Sequence, residues 1–343
     1  MYSNFDIVGA FLIGLTLSYL MTPLFRVLAV QLGFLDHPQT KKKSHAKPMP
    51  LFGGLAILFA FSISILLTTR SEKVLIPIFL AGSILIFFGL IDDKFGMMPK
   101  VKLASQLIAA LIVIRMGIKV DTIQHHYLSL VFTIIWIIGI TNAFNLLDNL
   151  NGLSSGIAGI AATFFGFIAW GNGQIFVAVV SFAVAGSCFG FLKHNFPRAN
   201  IFMGDAGSMF LGFILSCIAI IGSWETEKIS ISLSLPILIL SYPIFDTTLV
   251  TVIRIIEKRP IFVGGKDHSS HILASLGLKK RRAVLVIYAI CIFTGMCAYV
   301  MSTMSTTIGF LAMGVAYLFL FVLGIYLLFV RVTRSKKKRA RKA

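Results

Sequence analysis

Acidic side chains are scarce in this chain. Only 13 Asp and Glu stand among 343 residues, against 31 Lys and Arg. Charged residues of both signs reach just 13%, while 57% are hydrophobic, which excludes an ordinary soluble domain and points to a membrane protein. Cysteine is rarer still. Cys188, Cys217, Cys291 and Cys297 lie inside apolar runs with no C-x-x-C spacing, which excludes a thiolate metal centre or a disulfide framework and leaves small core residues. No repeat of fixed period occurs, and no segment between the apolar runs is long enough for a separate soluble domain. The first apolar run lacks a basic flank before it and is too long for a cleavable signal peptide.

What is present is a succession of apolar runs near the length of about 20 residues that spans a bilayer. They fall near 5–27, 51–69, 74–92, 101–117, 128–147, 154–170, 174–192, 207–223, 230–253, 283–302 and 306–330. The sequence therefore predicts an all-α polytopic membrane protein of about eleven transmembrane helices, with ten as the alternative count. It reads as one integral-membrane domain over 1–330, followed by a basic tail, 331–343. The net charge of +18 would suggest nucleic acid in a soluble chain, but here its distribution reports topology instead. With the N-terminus outside, only Arg70, Lys73, Arg115, Lys119 and Lys228 among the Lys and Arg fall outside, and the C-terminal tail is cytoplasmic. Anionic lipid would attract that tail; no nucleic-acid partner is expected.

The same topology sorts the acids. Asp36, Asp92, Asp93, Asp148, Asp205, Asp246, Glu257 and Asp267 fall inside, mostly at run ends, so an active site would open to the cytoplasm. Within T-N-A-F-N-L-L-D-N-L-N-G-L-S-S-G, Asn142, Asn145, Asp148 and Asn151 recur every third residue. A helix would set all four on one face, which hydrocarbon would exclude, so the stripe is expected against a ligand, a polar cavity or other helices. Amides joining neighbouring helices are the plainer alternative. Asp92 and Asp93, adjacent at a membrane edge, are costly unless neutralised, and on a helix they diverge toward two different partners. Gly204-Asp205-Ala206-Gly207-Ser208 reads as a helix start, where backbone N–H groups favour an anion, although Asp205 would also serve as an N-cap.

Two loops are basic. The first carries Lys41 to Lys43, His45 and Lys47 among Pro38, Pro48 and Pro50, a donor set suited to phosphate. The second runs from Arg254 to Arg282 and holds Asp267, His268 and His271. Two histidines three apart are a weak zinc signal, and beside so many cations anion binding is the better reading. Pro243, close to Asp246, is expected to break or kink the ninth run. Oxygen donors without thiolates favour Mg²⁺, with Mn²⁺ as its substitute, completed by substrate phosphates. A transporter would also place acids near a broken helix, but these acids gather at one membrane edge.

The motifs G-L-I-D-D-K, N-A-F-N-L-L-D-N-L-N-G-L, F-M-G-D-A-G-S and G-G-K-D-H-S-S-H together resemble the polyprenyl-phosphate N-acetylhexosamine-1-phosphate transferases. The resemblance covers roughly Asp36 to His271, with the motifs in family order. It implies a Mg²⁺-dependent phosphoglycosyl transferase of the plasma membrane. Such an enzyme joins polyprenyl phosphate to the sugar phosphate of a UDP-N-acetylhexosamine and releases UMP. By the same resemblance Asp92 and Asp93 match the acidic pair that handles lipid phosphate or metal, and Asp205 matches the Mg²⁺ ligand. Asn145 and Asp148 match nucleotide- and metal-side groups, and Phe202 matches an aromatic that packs on uracil. Lys102 and Lys43 match basic residues near the diphosphate, and His268 and His271 match the loop histidines. Asn142, Asn151, His45 and Asp267 complete the expected substrate contacts. Asn151 stands where the family usually has Asp, which shifts that role to Asp148. The absence of an H-H-H run favours a simple UDP-sugar, UDP-N-acetylglucosamine foremost, over the muramoyl-pentapeptide substrate. Expected partners are the two substrates, the bilayer and a second copy of the chain.

Overall fold

The computed structural model describes residues 3–38, 47–69, 72–121, 123–224, 233–260, 265 and 267–340. The chain forms two compact units, Met1–Trp224 and Glu225–Ala343. The first holds α1 (Asn4–Gln31), α2 (Gly53–Thr68), α3 (Leu75–Phe95), α4 (Pro99–Arg115), α5 (His126–Leu147), α6 (Leu153–Gly171), α7 (Ile175–Asn195) and α8 (Gly204–Ile221). The second holds α9 (Ser234–Ile239), α10 (Ser241–Ile256), α11 (Ser269–Ser275), α12 (Lys280–Thr303) and α13 (Thr306–Ala340). The only described strands are β1 (Leu35–Asp36) and β2 (Met49–Pro50), a two-residue antiparallel ladder pairing Leu35 with Pro50.

Every predicted apolar run holds helix among its described residues. Eight of the described helices, α1, α3, α5 to α8, α12 and α13, are long and apolar enough to cross a membrane. The others differ for local reasons. α2 is apolar but has 16 residues, and α4 has 17 and carries Lys100, Lys102 and Arg115. The ninth run is divided at Leu240, between α9 and α10, three residues before Pro243. A proline fits the first turn of a helix, where its missing N–H removes no hydrogen bond.

α8 is the buried axis of the first unit, with Ala206 to Ala219 all enclosed. Its first turn is clamped from two sides by small residues. A Cβ added to Gly54 of α2 would lie 2.3 Å from the Gly207 Cα, and one added to Gly89 of α3 would lie 2.3 Å from the Ala206 Cα. Backbone bonds fix the same corner: Gly53 N–H donates to the Phe202 carbonyl (3.0 Å), Gly54 N–H to the Met203 carbonyl (2.9 Å) and Phe202 N–H to the Pro50 carbonyl (2.8 Å). Because backbone, not a flexible side chain, fills the space at Gly54, Gly54→Ala must push α2 and α8 apart. The expected loss is about 2 kcal/mol or more, read as a lower midpoint in thermal unfolding of the detergent-solubilised protein.

Candidate active site

α3, α4, α5 and α8 bring their polar ends to one place in the first unit. α3 ends at Phe95, one turn past Asp92 and Asp93, where Gly96 takes a φ of 72°. Met97 N–H donates to Asp92 Oδ1 (2.6 Å), which turns the chain into Pro99, the first residue of α4. That turn delivers Lys102. Its ammonium lies 2.7 Å from Asp92 Oδ2 and 2.8 Å from Asp205 Oδ2, bridging two acids from different helices. Asp205 Oδ1 accepts from Asn145 Nδ2 (2.7 Å), and the same amide reaches Ser208 Oγ (2.8 Å).

The adjacent acids have different work, as their divergence on a helix predicts. Asp93 accepts from the backbone N–H of Asp205 (2.7 Å) and of Ala206 (3.3 Å), so it caps α8 from another helix. The anion expected at the α8 start is therefore a side chain of the protein itself. Gly204 is required there: its φ is 77°, and a Cβ would meet Asp93 Oδ2 at 2.6 Å. Asp93 thus fixes the backbone that carries Asp205, whereas Asp92 faces Lys102.

The polar stripe is shorter than the helical reading required. α5 ends at Leu147, so only Asn142 and Asn145 lie on it; Asp148 and Asn151 sit in the turn before α6. Asn149 Nδ2 bonds back to the Leu146 carbonyl and Gly152 takes a φ of 76°, the local competition by which Asn ends helices. Asn142 exchanges hydrogen bonds with Gln106 of α4 (2.6 and 3.2 Å), the inter-helix amide pairing of the plainer alternative. Asn195 ties Gly152 N–H to the carbonyl of Ile201, joining the turn to the segment that carries Phe202. Asn151 makes no described side-chain hydrogen bond.

Asp148 differs from its neighbours, because no described group donates to its carboxylate. Burial first, and then the charge of Asp205, push its pKa from 3.8 up to about 7. Between those values the folded chain keeps a proton that the unfolded chain has lost, so this group's contribution to stability falls as pH rises and is gone above about 7. Asp148→Asn should therefore unfold at a higher temperature than the parent near pH 8, with the difference closing toward pH 4 in a thermal-unfolding series. No difference near pH 8 would contradict the raised value.

The donor set suits a hard cation. Asp148 and Asp205 supply oxygen, with neither thiolate nor imidazole beside them. No described cluster of three His, Cys, Asp or Glu could hold a metal by itself. Mg²⁺ asks for less, since one or two carboxylates, water and substrate phosphates complete its shell.

The loop residues belong to the second unit. Asp267 is taken up by arginines: Arg259 and Arg331 each lie 2.8 Å from Oδ1, and Arg254 lies 3.3 Å from Oδ2. Burial would raise its pKa, but the hydrogen bond and charge of Arg259, followed by Arg331, hold it below the usual carboxylate range. Glu257 binds Arg259 and Arg331 as well, closing an ionic network around the loop. His268 is the N-cap of α11, and its ring centroid lies 6.4 Å from that of His271. Lys43 and His45 lie outside the described residues. Sequence reasoning missed Gln106 and Ser208, which only packing reveals. It also left Asp246 without a role, although S-Y-P-I-F-D sets an acid beside a proline in an apolar run.

A polytopic helical membrane protein with an acid–lysine–amide array at its helix ends is the class that fold and site define. The family model for glycosyl transferase family 4 matches residues 75–223, which holds the whole array. A Bacillus subtilis protein called probable undecaprenyl-phosphate N-acetylglucosaminyl 1-phosphate transferase is 35% identical over 95% of this chain and 90% of its own. A Mycolicibacterium smegmatis decaprenyl-phosphate N-acetylglucosaminephosphotransferase is 31% identical, covering 81% of this chain and 78% of its own. A phospho-N-acetylmuramoyl-pentapeptide-transferase of Levilactobacillus brevis matches a smaller part, 34% identical over 54% of this chain and 65% of its own. The chain belongs to glycosyl transferase family 4.

Proposed function

We propose that this protein transfers N-acetylglucosamine 1-phosphate from UDP-N-acetylglucosamine to polyprenyl phosphate and releases UMP, as a membrane step of cell-envelope glycan synthesis. A polyprenyl phosphate acceptor is what the Bacillus subtilis and Mycolicibacterium smegmatis relatives are named for, and it supports this choice. The observation that carries the reading is the Asp92–Lys102–Asp205–Asn145 array beside the unpaired carboxylate of Asp148. It offers cationic and anionic groups side by side, as a diphosphate and its metal require.

Phosphoryl transfer demands positioning and charge neutralisation more than covalent help from the protein. Asp205 and Asp148 would hold Mg²⁺, or Mn²⁺ in its place; when bound, the ion neutralises the diphosphate and steadies the departing phosphate. Asp92, whose partner Lys102 is shared with Asp205, orients the lipid phosphate. An oxygen of that phosphate attacks the sugar-bearing phosphorus. The bond from this phosphorus to the bridging oxygen breaks, and the oxygen leaves on UMP. Lys102 and the loop histidines His268 and His271 balance the charge that develops. Phe202 packs on uracil, and Asn145, with its neighbours in the turn, serves the nucleotide side. The site opens to the cytoplasm from the plasma membrane, with the N-terminus outside.

Product analysis tests the donor. Purified protein supplied with polyprenyl phosphate and equal UDP-N-acetylglucosamine and UDP-N-acetylmuramoyl-pentapeptide should yield polyprenyl-diphospho-N-acetylglucosamine by mass spectrometry. Accumulation of the muramoyl-pentapeptide lipid instead would overturn the donor assignment.

A further inference from the structure

Asp246 is fully buried, and every bond it makes points at the start of α11. Oδ2 lies 2.8 Å from His268 Nδ1. Oδ1 accepts the backbone N–H of Ser269 (2.8 Å) and also its hydroxyl, whose oxygen stands 2.6 Å from the Tyr242 hydroxyl. The two carboxylate oxygens are thus divided, one holding the loop backbone and the other holding the imidazole. A carboxylate only accepts, so Nδ1 carries the ring proton. Nε2 has no partner among the described residues, and the ring keeps a small exposed edge, 5% of the side chain. This is the arrangement in which a neighbouring acid sets the tautomer and direction of a working histidine.

We propose that Asp246 is the positioning residue for His268, fixing its proton on Nδ1 and presenting Nε2 to the phosphates of the substrate. The inference rests on the reading of His268 as a group that serves the diphosphate. Nε2 takes the proton of a singly protonated lipid phosphate as its oxygen attacks, Asp246 neutralises the imidazolium that forms, and the proton is then released to solvent. The other charged groups of the region, Asp267, Glu257, Arg254, Arg259 and Arg331, are joined in an ionic network of their own.

Asp246→Asn separates positioning from bulk structure. The single amide oxygen stays with the two Ser269 donors, so the amide NH₂ turns to Nδ1. The neutral ring must then carry its proton on Nε2, with the shape of the site unchanged. We expect kcat for UMP release to fall about 10- to 100-fold, a part of what a proton-transfer group contributes, with little change in KM for the UDP-sugar or in unfolding temperature. In a His268→Asn background the same change should cost nothing more. Losses that multiply would overturn the proposal, as would an Asp246→Asn enzyme of full activity beside an impaired His268→Asn enzyme. Full activity of His268→Asn alone would overturn the role of His268, and this inference with it, while leaving the transferase reading to its own product test. Nitrogen-15 spectra of histidine-labelled parent protein, with His268 assigned by its absence from His268→Asn, need no folded Asp246 variant. A neutral ring protonated at Nδ1 is expected, and one protonated at Nε2 contradicts the proposal.

Discussion

Replacing Asp205 by Asn should slow UMP release by about a hundred- to a thousandfold, the usual loss when one electrostatic partner of a transition state is removed. Each oxygen of this side chain is committed, Oδ1 to Asn145 and Oδ2 to Lys102. An amide keeps one acceptor and loses the charge that draws the ammonium, so the loss should appear mainly in kcat. The backbone of Asp205 is held by Asp93, and the next residues, Ala206 and Gly207, are packed on Gly89 and Gly54, so the variant should fold normally. A steady-state assay against Mg²⁺ concentration checks both points. Full Mg²⁺-dependent activity in Asp205→Asn would refute the metal assignment.

Lys102→Met should act on stability and rate together. The substitution leaves Asp92 and Asp205 facing each other without their shared cation. Removing one partner of a fully buried pair costs about 3–5 kcal/mol. Here the Lys102 side chain is 16% exposed and that of Asp205 is 35%, so about 2 kcal/mol is the better expectation. Thermal unfolding should show that loss without substrate, and UMP release should fall by about a hundredfold or more. A variant as stable as the parent would mean that the bridge seen between α3, α4 and α8 contributes nothing in solution.

The helices, and the polar residues that the structure gathers at their ends, stand out in the sequence because both are written locally. Apolar runs announce spans, and an acid inside or beside one stands out against so few others. The pairings were not local. Lys102 and Asp205 are 103 residues apart, and no periodicity joins them. The unequal roles of Asp92 and Asp93 depend on which neighbour each helix face meets, and only packing decides that. The stripe through Asn142, Asn145, Asp148 and Asn151 misled by its regularity, because the side-chain bond of Asn149 and the left-handed Gly152 end the helical order at Leu147. Three arginines, one of them from α13, surround Asp267, and nothing in the local sequence announces that partnership. Asp246 was conspicuous as a buried acid, but its use required knowing that the His268 loop returns to it.

The most direct measurement is UMP release by the purified protein in defined lipid vesicles, with each substrate omitted in turn. UMP should appear only when UDP-N-acetylglucosamine, polyprenyl phosphate and Mg²⁺ are all present, in equal amount to the polyprenyl-diphospho-sugar formed. UMP release without the lipid acceptor, or movement of the sugar nucleotide across sealed vesicles with no release at all, would contradict it.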